Sequence, residues 1–130
     1  MPGEKDLSIL LKNMEPVLQE GDYVFSSVAD MKNIDINSVI GTFTEKEGIT
    51  VVMSKAAADK LNLTYSFVCA WITLTVHSSL EAIGLTAAIS TALSKEGISC
   101  NVIAGYYHDH IFVNIEDADR AMKALSALSH

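Results

Sequence analysis

Apolar residues along this chain switch between the period of a strand and the period of a helix. From Leu63 to His77 the chain alternates: Val68, Ala70, Ile72, Leu74 and Val76 interleave with Phe67, Cys69, Trp71, Thr73 and Thr75. Both sets are apolar up to Trp71, which predicts a central strand. After a short loop, Leu85, Ile89, Ala92 and Leu93 fall at i, i+4, i+7 and i+8, the stripe of an amphipathic helix, and Gly97 is placed to close it. Ile98 to Ala104 and Ile111 to Asn114 read as a hairpin, its turn carrying Tyr106, Tyr107, His108, Asp109 and His110. A last helix runs from near Glu116 to Leu128, with Glu116, Asp117 and Asp119 at its electropositive start. The first half is less regular. Asp6 is placed to cap a helix bearing Leu7, Leu10, Leu11 and Met14, with Pro16 perturbing that helix near its end. Tyr23 to Val28 reads as a strand, residues 29–40 as a polar connection, and Gly41 to Phe43 as a short strand. After a turn at 45–48, Ile49 to Met53 reads as a buried strand, and Ser54 caps a short helix through Leu61.

These elements repeat. LQEGDYVFSSV (18–28) corresponds to LSKEGISCNVI (93–103), each a helix end, Glu-Gly and a strand. ITVVMSKAAADKL (49–61) corresponds to HIFVNIEDADRAM (110–122), each a strand followed by an alanine-rich helix. The chain therefore reads as two interdependent α-β-β-α halves, 1–63 and 64–130. The strand at 65–76 is placed to close the first half and open the second. Helices on one face of a mainly antiparallel sheet make the class α+β. An odd strand count per half leaves sheet edges unpaired, which predicts a homodimer or higher homo-oligomer.

Charge narrows the partners. The net charge is −7 with only nine Lys+Arg, scattered along the chain. Nucleic acid and anionic membrane surfaces are excluded as partners, because both need a clustered basic face. No run approaches the ~18 apolar residues of a membrane span, and the start, MPGEKDLS, lacks an apolar signal core; cytoplasm is the expected compartment. Cys69 and Cys100 fall in predicted strands, as small buried hydrophobes. No P-loop, G-x-G-x-x-G or G-x-S-x-G occurs. The expectation is a non-enzyme with no cofactor, its chemistry confined to binding.

The segment TLTVHSSLEAIGLTAAISTALSKEGISCNVIAGYYHDHIFV (73–113) resembles the ACT domain, and YVFSSV (23–28) with IGTFTEKEGITVVM (40–53) fits the same family. The resemblance is to ACT proteins related to aspartate-kinase regulatory domains and to the cytosolic arginine sensor of animals. It implies a ferredoxin-like fold and an amino acid as small-molecule ligand, bound by the loop after the first strand where two domains meet. In this chain that loop is Ser78, Ser79, Leu80, Glu81, Ala82, Ile83, Gly84 and Leu85. Many ACT domains carry an Asp and a Pro-Gly pair there; this chain keeps Gly84 with Ile83 before it.

Each of these residues has two readings. Gly84 stands before a helix N-terminus, whose N–H groups suit a carboxylate, or it serves only the turn. Ser78 and Ser79 bind a ligand or cap local backbone. Glu81 meets a ligand cation or faces water. Asp109 is a second anion for a cationic ligand group or a turn residue. Tyr107, with Tyr106, stacks on a ligand or fills a subunit contact. His108 and His110 share a strand face and with His77 suggest a metal site, but two histidines are too few; packing or ligand contact is the alternative. A ligand-free assembly module is the competing function.

Overall fold

The computed structural model describes residues 6–76 and 84–129. In chain order the elements are α1 (Leu7–Asn13), β1 (Pro16–Leu18), β2 (Tyr23–Val28), β3 (Val39–Thr44), β4 (Ile49–Ser54), α2 (Lys55–Lys60), β5 (Val68–Leu74), α3 (Leu85–Lys95), β6 (Cys100–Ala104), β7 (Asp109–Asn114) and α4 (Ala118–Ala127). Two compact units form: an inner one, Gly21–Cys69, and a terminal one in which Met1–Glu20 folds with Ala70–His130. The class is α+β, as the periodicities predict.

In the inner unit the strand order is β3-β4-β2-β5. β2 and β4 pair antiparallel along their full length, from Tyr23↔Ser54 to Val28↔Ile49. The start of β5 joins them, Cys69 against Tyr23 and Val68 against Val24. Val24, Val51, Met53 and Ala58 make the core, and α2 is started by the Ser54 hydroxyl accepting from the Ala57 N–H at 3.2 Å. Between β2 and β3, where the repeat has a helix in the terminal unit, residues 29–38 form only a single 3-10 turn at Ile36–Ser38. Met31 and Ile34 cover the core in its place. Asn33 and Asp35 beside them compete for backbone hydrogen bonds and disfavour a helix.

The turn from β3 to β4 depends on Gly48. Its φ is +155°, and a Cβ there would lie 2.9 Å from the Val28 carbonyl oxygen. Backbone cannot move aside as a side chain can. Gly48→Ala is expected to lower stability by about 1–3 kcal/mol in urea titrations. Gly41→Ala, with nothing within 4 Å of the added carbon, should change it by less than about 0.5 kcal/mol.

In the terminal unit the order is β1-β5-β7-β6. β5 thus serves both units, as the sequence predicts, although it spans 68–74 rather than 65–76. Its inward residues Ala70, Ile72 and Leu74, with Ile111 and Val113 of β7, pack on Leu10, Leu85, Ile89, Leu93, Ala121 and Leu125 from the helices. Pro16 does not perturb a helix end: α1 stops at Asn13, and Pro16 opens β1. A proline is tolerated as the first residue of a strand, where its missing N–H removes little from the ladder. β1 pairs antiparallel with β5, Leu18 against Ile72. Counting β5 in both, each unit has four strands among the described residues.

Candidate functional site

One end of the terminal unit gathers the polar groups. β5 leaves the sheet there, the chain passes through 77–83, and α3 begins at Leu85. β7 starts at the same end: the His108 ring nitrogen Nδ1 lies 3.4 Å from the Val76 carbonyl oxygen. Of the loop residues expected to meet a ligand, Ser78, Ser79, Leu80, Glu81, Ala82 and Ile83 lie outside the described residues.

Gly84 is the N-cap of α3, with φ +94° and no side chain to cap the first turn. The first N–H groups of α3 therefore have no capping oxygen from residue 84. A Cβ at Gly84 would lie 3.1 Å from Leu7 Cδ2, so any side chain there would press on the Leu7 tip of α1. Leu85 points into the core and is only 3% exposed. A groove of about 610 Å³ opens beside Gly84 along Ala88, Thr91, Ala92 and Ala124. It runs on the side of α3 away from Leu85, Ile89 and Leu93.

Asp109 is the notable group. It is the first residue of β7, on the same sheet face as Ile111 and Val113, and is 9% exposed. No described residue donates a hydrogen bond or forms an ion pair to its carboxylate. Burial raises its pKa above the usual carboxylate range, while the neighbouring His110 and His108 pull it back. Sequence spacing places Asp109 in a turn; its burial follows from β7 beginning two residues earlier than the apolar run suggests. Tyr106 and Tyr107 stand at the hairpin tip, 69% and 63% exposed, ring centroids 5.0 Å apart and edge to face.

His110 turns to the opposite sheet face, where a network forms that the sequence does not announce. Its Nδ1 accepts from Trp71 Nε1 at 3.0 Å and lies 3.1 Å from Thr73 Oγ1. Gln19 Nε2 donates to Thr73 Oγ1 at 3.0 Å. Trp71 also stacks on Phe112, centroids 6.3 Å apart. The members come from β5, β7 and the chain after β1, and only the period-two alternation of Trp71 with Thr73 hints at a shared face.

Among the described residues no group of three His, Cys, Asp or Glu is placed to hold a metal ion. His108 and His110 do not converge as the shared-strand argument allows, because His110 is committed to Trp71 and Thr73. Burial pushes the Cys69 thiol up to about 11, which keeps it protonated and unreactive. No described helix is long and apolar enough to cross a membrane.

The architecture defines a small α+β module of antiparallel strands and helices, with a polar cluster at one end of its terminal unit. The chain belongs to the ACT-domain family: one ACT-domain model matches residues 2–70 and a second matches 66–127. A crystal structure of a Vibrio cholerae protein of unknown function, described as a possible transport protein, is similar over 97% of this chain and 98% of that one, with 48% identity and a TM-score of 0.86. The aspartate kinase of Clostridium acetobutylicum shares the fold at 14% identity and TM-score 0.65, over 88% of this chain and 34% of the kinase. The ligand-free regulatory subunit of Thermus thermophilus aspartate kinase shares it at 10% identity and TM-score 0.59, over 88% of this chain and 97% of that subunit. Comparison with curated proteins gives no match.

Proposed function

We propose that this protein is a free-standing regulatory module that binds an amino acid or similar small zwitterion and catalyses nothing. The observation that carries this reading is Asp109, a residue only 9% exposed whose carboxylate has no donor among the described residues, at the end of the unit where α3 begins. A ligand ammonium would answer Asp109, and a ligand carboxylate would take the N–H groups at the start of α3. The loop residues Ser78, Ser79, Leu80, Glu81 and Ile83, with Gly84, Leu85, Tyr107 and His108, are proposed as the surrounding wall. Binding would shift the protein between two states of association. We place it in the cytoplasm, acting as a homodimer or higher homo-oligomer. Support for self-association comes from β3, an edge strand whose Ile40 and Phe43 are 37% and 71% exposed.

A second reading, a ligand-free assembly module, is favoured by the tight approach of Leu7 to Gly84. Thermal-shift and calorimetric titration against the twenty amino acids separates the two. The ligand reading expects at least one to raise the melting temperature, by about 2.7 kcal/mol of stabilisation at a hundredfold excess over Kd. A flat response to all of them at millimolar concentration leaves the assembly reading.

A further inference from the structure

The network on the helix-free face of the terminal unit has a directional property that the ligand reading does not use. Trp71 Nε1–H can only donate, and it is aimed at His110 Nδ1 from 3.0 Å. Nδ1 must then carry a lone pair, which fixes His110 as the neutral tautomer with its proton on Nε2. Thr73 accepts from Gln19, leaving its own hydroxyl proton to point at the same Nδ1. Every polar contact to Nδ1 therefore requires it to be bare. A proton there sets N–H against N–H.

We propose that the Trp71–His110 contact is a proton-controlled latch on the β6–β7 hairpin, closed when His110 is neutral and opened when it is protonated. The ring is coupled to the hairpin sterically. His110 pairs across the hairpin with Ile103, and its Nε2 lies where a Cβ on Gly105 would be only 3.2 Å away. A ring that leaves Trp71 must move against the turn at Gly105, which is closed by the Gly105 N–H donating to the His108 carbonyl at 2.9 Å. Asp109 is the next residue along β7, so the latch acts on the segment that holds it.

The groups around the ring set the direction of its titration. β5 presents Trp71 and Thr73, and the chain after β1 presents Gln19; all three are uncharged. The hairpin itself presents Ile103 and Gly105. The charged neighbours are His108 and Asp109, both in the hairpin. Burial holds the imidazole below its usual value of 6.5, His108 pushes it further down, and Asp109 opposes. A folded-state value below the unfolded one means that the unfolded chain takes up the proton first. The closed latch is thus fully favoured above pH 6.5 and loses stability as pH falls from there toward the folded-state value.

Trp71 is the only tryptophan in the chain, which makes its emission a direct readout. Titrating the full-length protein from about pH 8 to about pH 5 should give a reversible change in Trp71 emission with a midpoint below 6.5, while far-UV circular dichroism stays native. His110→Gln keeps an acceptor for Trp71 and removes the titration, so its emission should be flat over the same range. His108→Gln should keep the transition and move its midpoint upward. A flat wild-type response, or a transition that survives in His110→Gln, overturns the proposal. Should His110→Gln fail to fold, long-range proton–nitrogen NMR of the wild type decides. Protonated Nε2 and bare Nδ1 at neutral pH are expected, and a proton on Nδ1 there refutes the latch. None of these readouts needs a ligand, so the latch and the ligand reading fail separately.

Discussion

Asp109→Asn is expected to make the ligand-free protein more stable and to remove its ligand response. Asp109 as a residue is 9% exposed, and no described residue donates to its carboxylate. Burial raises its pKa above the unfolded value of 3.8, so the folded chain holds that proton to a higher pH than the unfolded chain does. The destabilisation appears as pH rises through the folded-state value and is fully present at neutral pH, where the group is ionised. An isosteric amide removes that penalty, by about 1 kcal/mol or roughly 3 to 5 °C in melting temperature. A bound ammonium meanwhile loses its counter-charge. Truncating one member of a desolvated charge pair weakens binding by about 2 kcal/mol or more, roughly thirtyfold. Scanning calorimetry at pH 7 and at pH 4 checks the first half, because the gain should shrink as the wild-type carboxyl protonates. Calorimetric titration with whichever amino acid stabilises the wild type checks the second. A lower melting temperature for Asp109→Asn at pH 7 would show that the carboxylate is stabilised by the fold and not held in reserve.

On the proposed ligand reading, Asp109 is a group whose energetic cost binding would offset. Local stability is given up at one position so that binding restores it. The same end of the unit shows the opposite economy at Gly84, where fold and function ask for the same residue. Its φ of +94° favours glycine, Leu7 lies close to the position a Cβ would take, and a ligand approaching the start of α3 would favour glycine too. Gly84 alone therefore cannot discriminate between the two functions, whereas Asp109 can.

What the sequence revealed follows from period. The alternation over Phe67–Val76 and the i, i+4, i+7, i+8 stripe from Leu85 mark β5 and α3 to within a few residues, because burial on one face is a local signal. The shared role of β5 was legible from the repeat. β1 was not, since three residues beginning with proline carry no period. The polar composition of 29–40 reads as a connection because Asp and Asn there favour turns, and no helix forms at 29–38. The Gln19–Thr73–His110–Trp71 network was invisible. Gln19 and Thr73 lie 54 positions apart, and nothing in a polar side chain announces its partner at that distance. Asp109 was visible as chemistry but not as a buried group, since burial at a strand end depends on what packs beside it.

The N-terminal segment carries the second large effect. Leu10 is 0% exposed and Met14 2%, and both belong to the core that includes Leu93, Val113 and Leu125. β1 then extends along β5, with Gln19 N–H donating to the Trp71 carbonyl at 2.8 Å and Thr75 N–H to that of Glu15 at 2.9 Å. Residues 6–20 thus supply the last strand and a core helix of the terminal unit, although sequence order puts them farthest from it. Leu10→Ala should lower stability by about 2–5 kcal/mol, the range for emptying a fully buried leucine site. Ile9→Ala, one residue earlier and 44% exposed, should lower it by less than about 1 kcal/mol. Trp71 emission in a urea titration reads the unit directly, since Trp71 lies in β5 between the strand that Leu10's segment supplies and β7. If the two substitutions shift the midpoint equally, α1 does not dock as drawn. The four-strand count of the terminal unit would then rest on β1 alone.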